Sequence, residues 1–271
     1  MMRRAWVLAV ITALAGCAGY QQSAVPVTEA GSGKDVRWSK AEVKGLGTLD
    51  VATLKPEGPG PFPAVVLLHG THGFGREYVE MARTFAREGV VAVTGCWFKG
   101  GQGAGTRFIT PIECPDAPPL SPATSDAAYL AVQAMIEAAR QQPEVRADRI
   151  ALFGHSRGGG AAMQYVLKGG AVKALMLNSA GYPDEAISQA PQITMPVLVL
   201  HGTADSPADG GSAMTDIQRA RQFVEAMQNA GRSVEVVYYK GAPHNGLFSG
   251  PKQHQDEMQR MAGFIHRHLF Q

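Results

Sequence analysis

Short apolar runs recur along the chain, and most are continuous in apolar character rather than alternating with polar residues. They are "AVVLLHG" (64–70), "VVAVTG" (90–95), "RIALFG" (149–154), "VKALMLN" (172–178), "PVLVLHG" (196–202) and "SVEVVYY" (233–239). A strand with one wet face alternates, whereas a strand covered on both faces does not, so these runs predict parallel strands with helices on either side. Two weaker β segments, around 41–43 and 49–54, precede them. Between the runs the period changes to three and four: Tyr129, Val132, Ile136 and Ala139 form one set, and Ile217, Ala220, Val224 and Met227 another, with Gly231 as a stop. Met258, Met261, Ile265 and Leu269 mark a last helix. Strands alternating with helices in this way predict an α/β fold built on a doubly wound, mostly parallel sheet of about eight strands. No internal repeat interrupts the pattern.

The N-terminus follows a different rule. In "MMRRAWVLAVITALAGCAGYQQS", Arg3 and Arg4 precede an apolar run from Ala5 to Leu14 and then small residues. That is the layout of an export signal, too short for a comfortable membrane span. The ending "LAGC" resembles a bacterial lipobox. On that resemblance residues 1–16 are a signal peptide and Cys17 is the lipidated first mature residue. Residues 17–36 are then a polar tether to a catalytic domain over 37–271. Ala18 in the second mature position points to the outer membrane, facing the periplasm; the alternative is an ordinary secretory signal cut near Ala18. With Cys17 lipidated, Cys96 and Cys114 remain as a pair in an oxidising compartment. A disulfide between them would contribute on the order of 3 kcal/mol, the alternative being two free thiols.

Composition adds exclusions. A net charge of +2 gives no electrostatic footprint for nucleic acid, and no later apolar stretch reaches the roughly twenty residues of a spanning helix. The membrane is therefore expected as a partner only through the N-terminal lipid, and oligomeric state is left open. "GSGK" (31–34) brushes against a phosphate loop, but Asp35 replaces the required Ser or Thr and no strand precedes it. "GGQGAGT" (100–106) lacks GxGxxG spacing, and the histidines lack metal-ligand spacing, so no cofactor or metal is expected.

"GHSRGGG" (154–160) carries the chemistry. "RIALFG" reads as a strand and "GAAMQYVLK" as a helix, so Ser156 sits on a strand-turn-helix elbow where its hydroxyl meets the carboxyl edge of the sheet. A serine needs a base, and the base needs an orienting acid. On this fold the chain order is Ser, then Asp or Glu, then His. Asp205 follows the run ending at Gly202, with Asp209 as a rival, and His244 follows the last run in a Pro- and Gly-bounded loop. The expected triad is Ser156, Asp205 and His244. Oxyanion donors are expected from the main-chain N–H of Arg157 and of Thr71 in "HGTHG", with His72 second.

These pieces, "LLHGTHG", "VRADRIALFGHSRGG", "MPVLVLHGTAD" and "GAPHNGLF", resemble the α/β-hydrolase fold from about residue 45 onward, and most of all its dienelactone hydrolase and related esterase branch. Dienelactone hydrolases proper use a cysteine nucleophile; Ser156 in its place turns the expectation from lactones to general esters. The resemblance implies a serine hydrolase of small carboxylic esters without a large cap domain. Fewer than about twenty residues separate the runs ending at 178 and beginning at 196, too few for a substantial helical lid. Segment 97–125 is expected to form the pocket wall, with His72, Trp97, Phe98, Phe108 and Tyr182 as lining residues, the alternative for the aromatic four being simple packing; Arg107 is expected as a solvated loop residue, the alternative being a contact for a substrate carboxylate. An acyltransferase or a peptidase would use the same triad. A lipid-anchored binding module would need a broken site, and no required residue is missing.

Overall fold

The computed structural model describes residues 35–100, 108–209 and 211–271. Residues 1–34, and with them the signal segment, Cys17, "GSGK" and nearly all of the tether, lie outside this set, as does Arg107. The strands are β1 (Arg37–Val43), β2 (Gly47–Leu54), β3 (Phe62–Leu68), β4 (Val91–Gly95), β5 (Val145–His155), β6 (Ala174–Asn178), β7 (Val197–Gly202) and β8 (Val234–Tyr239). The helices are α1 (Arg76–Arg87), α2 (Asp126–Arg140), α3 (Arg157–Leu167), the short α4 (Asp184–Gln189), α5 (Ile217–Asn229), the short α6 (Gly246–Ser249) and α7 (Pro251–Leu269).

All eight strands join one sheet in the order β1-β2-β4-β3-β5-β6-β7-β8. The β1–β2 and β2–β4 pairs are antiparallel, and every pair from β4–β3 to β7–β8 is parallel. The continuous apolar runs have the expected cause. On β3 and β5, Val66, Leu68 and Leu152 point into a core shared with α2, α3 and α5. Their neighbours Val65, Leu67, Ala151 and Phe153 point into the opposite core, shared with α1 and α7. Successive side chains leave a strand on opposite faces, so a strand clad on both sides needs apolar residues at every position. β8 is the exception: as an edge strand it is half-buried along its length. α1 follows "HGTHG" and buries Tyr78, Val79, Met81, Ala82 and Phe85 against the sheet.

Cys96, one residue past β4, is bonded to Cys114, their Cα atoms 5.8 Å apart. Among the described residues no helix is long and apolar enough to cross a membrane. The parallel strands β5, β7 and β8 all end at the same edge, and the residues of interest lie in the loops that follow.

Candidate active site

Ser156 joins β5 to α3 with φ 52° and ψ −117°, a left-handed conformation that a side chain adopts only under constraint. The constraint is visible in its backbone bonds. Its N–H donates to the Asn178 carbonyl at 2.9 Å, and its own carbonyl accepts from Gly159, Gly160 and Gly181 at 3.0, 3.2 and 3.1 Å. Two glycines make the turn possible. A Cβ on Gly154 would lie 2.3 Å from the Gly158 carbonyl, and one on Gly158 would lie 2.4 Å from the Leu68 carbonyl oxygen.

The Ser156 hydroxyl reaches His244 Nε2 at 2.9 Å, and His244 Nδ1 lies 2.8 Å from Asp205 Oδ2. Three residues separated by up to 88 positions thus form one hydrogen-bonded line, because the loops after β5, β7 and β8 meet at one edge. Asp205 is fully buried. Burial alone would raise its pKa, but hydrogen bonds from His201 and His244 outweigh that and hold the carboxyl well below its ordinary range. Thr215 Oγ1 donates to the other oxygen, Oδ1, at 3.0 Å. The side chain of Asp209, the rival acid, lies outside the described residues.

Among the described residues, the main-chain N–H groups of Thr71 and Arg157 have no main-chain acceptor. Both residues line a cleft of about 300 Å³ beside Ser156, with Ala123, Thr124, Gly160, Gly181 and Met214 among its other walls. The loop that presents Thr71 is braced from α1: Gly70 N–H donates to the Tyr78 hydroxyl at 3.2 Å, and that hydroxyl meets His72 Nε2 at 3.0 Å. The Arg157 guanidinium lies 5.4 Å from the centre of the Phe98 ring, and burial lowers its pKa.

The aromatic residues expected to line the pocket stand elsewhere. Trp97 is buried and donates from Nε1 to the His69 carbonyl at 3.0 Å, while Phe98 packs edge-on against it. Tyr182 is fully buried against Phe223 and His201. His72 is buried beneath the loop, stacked on Tyr78, and Phe108 is half-buried between His72 and Phe248. None of these five borders the cleft beside Ser156; Trp97, Phe98, Tyr182 and His72 are buried, since large rings gain most by turning inward. Segment 97–125 contributes Ala123 and Thr124 from its last turn. Thr215, Tyr78, Asn178, Asn245 and Glu257 are not among the expected site residues. Of these Glu257 alone carries a local signal, a carboxylate in the buried stripe of α7 beside Met258 and Met261. Among the described residues no group of three or more His, Cys, Asp or Glu is arranged to hold a metal ion.

A model of the dienelactone hydrolase family matches residues 49–263, from within β2 to within α7. The chain belongs to the dienelactone hydrolase family. Like that family's members it is a hydrolase, on the α/β-hydrolase fold with an eight-stranded, mostly parallel sheet and no large cap. Among solved structures, a dienelactone hydrolase-like promiscuous phosphotriesterase from metagenomic libraries aligns at TM-score 0.65 and 19% identity, covering 86% of this chain and 97% of that one. A Pyrococcus furiosus esterase aligns at TM-score 0.65 and 13% identity over 86% and 93%. The acylaminoacyl peptidase of Pyrococcus horikoshii aligns at TM-score 0.67 and 16% identity, but there 87% of this chain matches only 42% of the peptidase. Comparison with curated proteins gives no match.

Proposed function

We propose that this dienelactone hydrolase family member is a serine hydrolase of small carboxylic esters. The observation that carries the reading is the unbroken line from Ser156 through His244 to Asp205, at 2.9 and 2.8 Å, with its serine on a constrained elbow. In the first half-reaction Ser156 Oγ bonds to the ester carbonyl carbon as its proton passes to His244 Nε2. Asp205 keeps the His244 Nδ1–H directed and stabilises the ring's positive charge. The carbonyl oxygen becomes an anion beside the Thr71 and Arg157 N–H groups, at the positive end of α3. The C–O bond to the alcohol then breaks, and the alcohol leaves with the proton from His244. Water repeats the sequence on the acyl-enzyme, releasing the acid and restoring the Ser156 hydroxyl.

The cleft favours small acyl groups, since its volume is only about 300 Å³. A covalent Cys96–Cys114 pair suits an oxidising compartment, which supports the exported, Cys17-anchored reading.

Turnover of p-nitrophenyl esters of increasing acyl length, by the protein and by Ser156→Ala, tests the function. Hydrolysis that favours short acyl groups and is lost in the variant is the expected result. Equal rates in both would overturn it. Lipid labelling of Cys17→Ser tests the anchor; labelling equal to wild type would refute it.

A further inference from the structure

Glu257 takes no part in the chemistry above, yet it is a carboxylate 1% exposed on α7. It shares the stripe that Met258, Met261 and Ile265 turn toward the sheet. Burial raises its pKa to about 7 against the pull of hydrogen bonds from Gln253 and Asn178, so an apolar side chain would sit there at less cost.

Its contacts lead into the site. Glu257 Oε1 accepts from Gln253 Nε2 at 2.7 Å, and Oε2 accepts from Asn178 Nδ2 at 2.6 Å. With its NH₂ committed to the carboxylate, Asn178 turns Oδ1 to His155 Nδ1, 2.7 Å away. His155 is fully buried, and burial first of all lowers its pKa to about 3, so the ring is neutral and has one N–H. That N–H is spent on Asn178. Nε2 therefore offers a lone pair, and it lies 3.2 Å from Asn245 Oδ1; with that amide turned end for end, Nδ2 takes the same place and donates to the ring. His155 immediately precedes Ser156, and Asn245 immediately follows His244. The chain of side chains thus starts in the core of α7 and ends on the residues flanking nucleophile and base. Asn178 grips the elbow a second time through its carbonyl, which accepts the Ser156 N–H at 2.9 Å. Gln253 touches the same loop as His244, for a Cβ on Gly246 would lie 2.5 Å from its Oε1.

We propose that Glu257 is a positioning residue: by accepting the Asn178 N–H it fixes His155 as the Nδ1–H tautomer, whose Nε2 holds Asn245 and keeps His244 in register with Ser156. The inference rests on the serine-hydrolase reading. A carboxylate that only fastened α7 to the sheet would alter stability and leave both tautomer and acylation as they are.

Two readouts separate these cases. Long-range ¹H–¹⁵N spectra report the His155 tautomer, and labelling by a fluorophosphonate reports the acylation rate of Ser156. The wild type shows Nδ1–H. Glu257→Met, which cannot accept, loses the single tautomer and labels between about ten and a hundred times more slowly, as small misplacements of a reacting group do. Glu257→Gln, whose amide oxygen still accepts from Asn178, restores both. Asn245→Ala, at the half-buried end of the chain, labels as slowly as Glu257→Met, and the double variant is no slower than the slower single one.

Wild-type labelling in Glu257→Met, an unchanged tautomer there, or additive losses in the double variant would overturn the inference. Should Glu257→Met not fold, Asn245→Ala decides alone, and its labelling at the wild-type rate would overturn it. A wild type that does not label at Ser156 at all would instead overturn the hydrolase reading, and the inference with it.

Discussion

His201 Nε2 lies 3.2 Å from Asp205 Oδ2, the same oxygen that His244 Nδ1 approaches at 2.8 Å. With Thr215 on Oδ1, both oxygens of this buried carboxylate face donors. An amide in its place keeps the shape but presents N–H to a neighbour that also presents N–H. Asp205→Asn is therefore expected to lower kcat on a p-nitrophenyl ester by about 10³- to 10⁴-fold, through the wrong tautomer of His244. Circular dichroism should show the variant still folded. A loss of less than tenfold would remove Asp205 from the role assigned to it.

The Tyr78 hydroxyl accepts the Gly70 N–H and meets His72 under the loop that carries Thr71. Tyr78→Phe leaves that buried N–H unpaired, which costs about 1–3 kcal/mol. Denaturant unfolding should register the loss. Kinetics should show kcat falling while KM holds, since the substrate's ground state does not depend on the oxyanion donors. An unchanged kcat would mean that the brace does not reach Thr71.

Two glycines two positions apart in α3 should behave in opposite ways. Gly158→Ala drives a methyl to 2.4 Å from the Leu68 carbonyl oxygen and 2.8 Å from that of His69, both of them backbone, and expression should give insoluble or unfolded chain. At Gly160 the same methyl meets the Gly181 carbonyl oxygen at 3.3 Å and Ala123 Cβ at 3.6 Å, so small shifts admit it and the helix gains up to about 1 kcal/mol of propensity. Gly160→Ala should fold and, by narrowing the cleft, cut turnover of longer acyl esters more than of acetate. An unaltered chain-length profile would place the acyl group elsewhere.

Stability should fall as pH drops from 6.5 to 4.5. Burial lowers the pKa of His69 and His155 to about 3 and that of His72 well below 6.5, so on acidification the unfolded chain takes up protons at these sites while the folded one does not. Glu257 acts in the opposite sense, because its pKa, raised by burial to about 7 from 4.5, makes the folded state bind a proton first. Three histidines against one carboxyl leave the unfolded state holding more protons, and each proton of difference is worth about 1.4 kcal/mol per pH unit. A melting temperature that is flat or rises on acidification across this window would contradict the balance.

Ser156, Asp205 and His244 are legible in the sequence because each follows a short apolar run, and run ends on a parallel sheet share an edge. The Cys96–Cys114 bridge is legible because two cysteines bracket one loop. The pocket is not. Trp97, Phe98 and Tyr182 stand beside strand ends in the sequence, but nothing in their spacing says whether a ring turns to solvent or to the core, and all three turn inward. The path from Glu257 to Asn245 is hidden for another reason: its links span 79 and 90 positions, and pairings between polar side chains so far apart leave no periodic trace. α1 escapes notice because its buried positions follow a glycine-rich loop that gives no start signal, and Gly75 caps it without a side-chain bond.

Between β6 and β7 the chain inserts only α4, six residues long, and a single 3-10 turn. Nothing in this connection can swing across the cleft and be lifted by an oil–water boundary. Hydrolysis should therefore rise smoothly with substrate concentration through the solubility limit of a sparingly soluble ester, without a lag or the jump in rate that emulsions provoke in enzymes with a hinged cover.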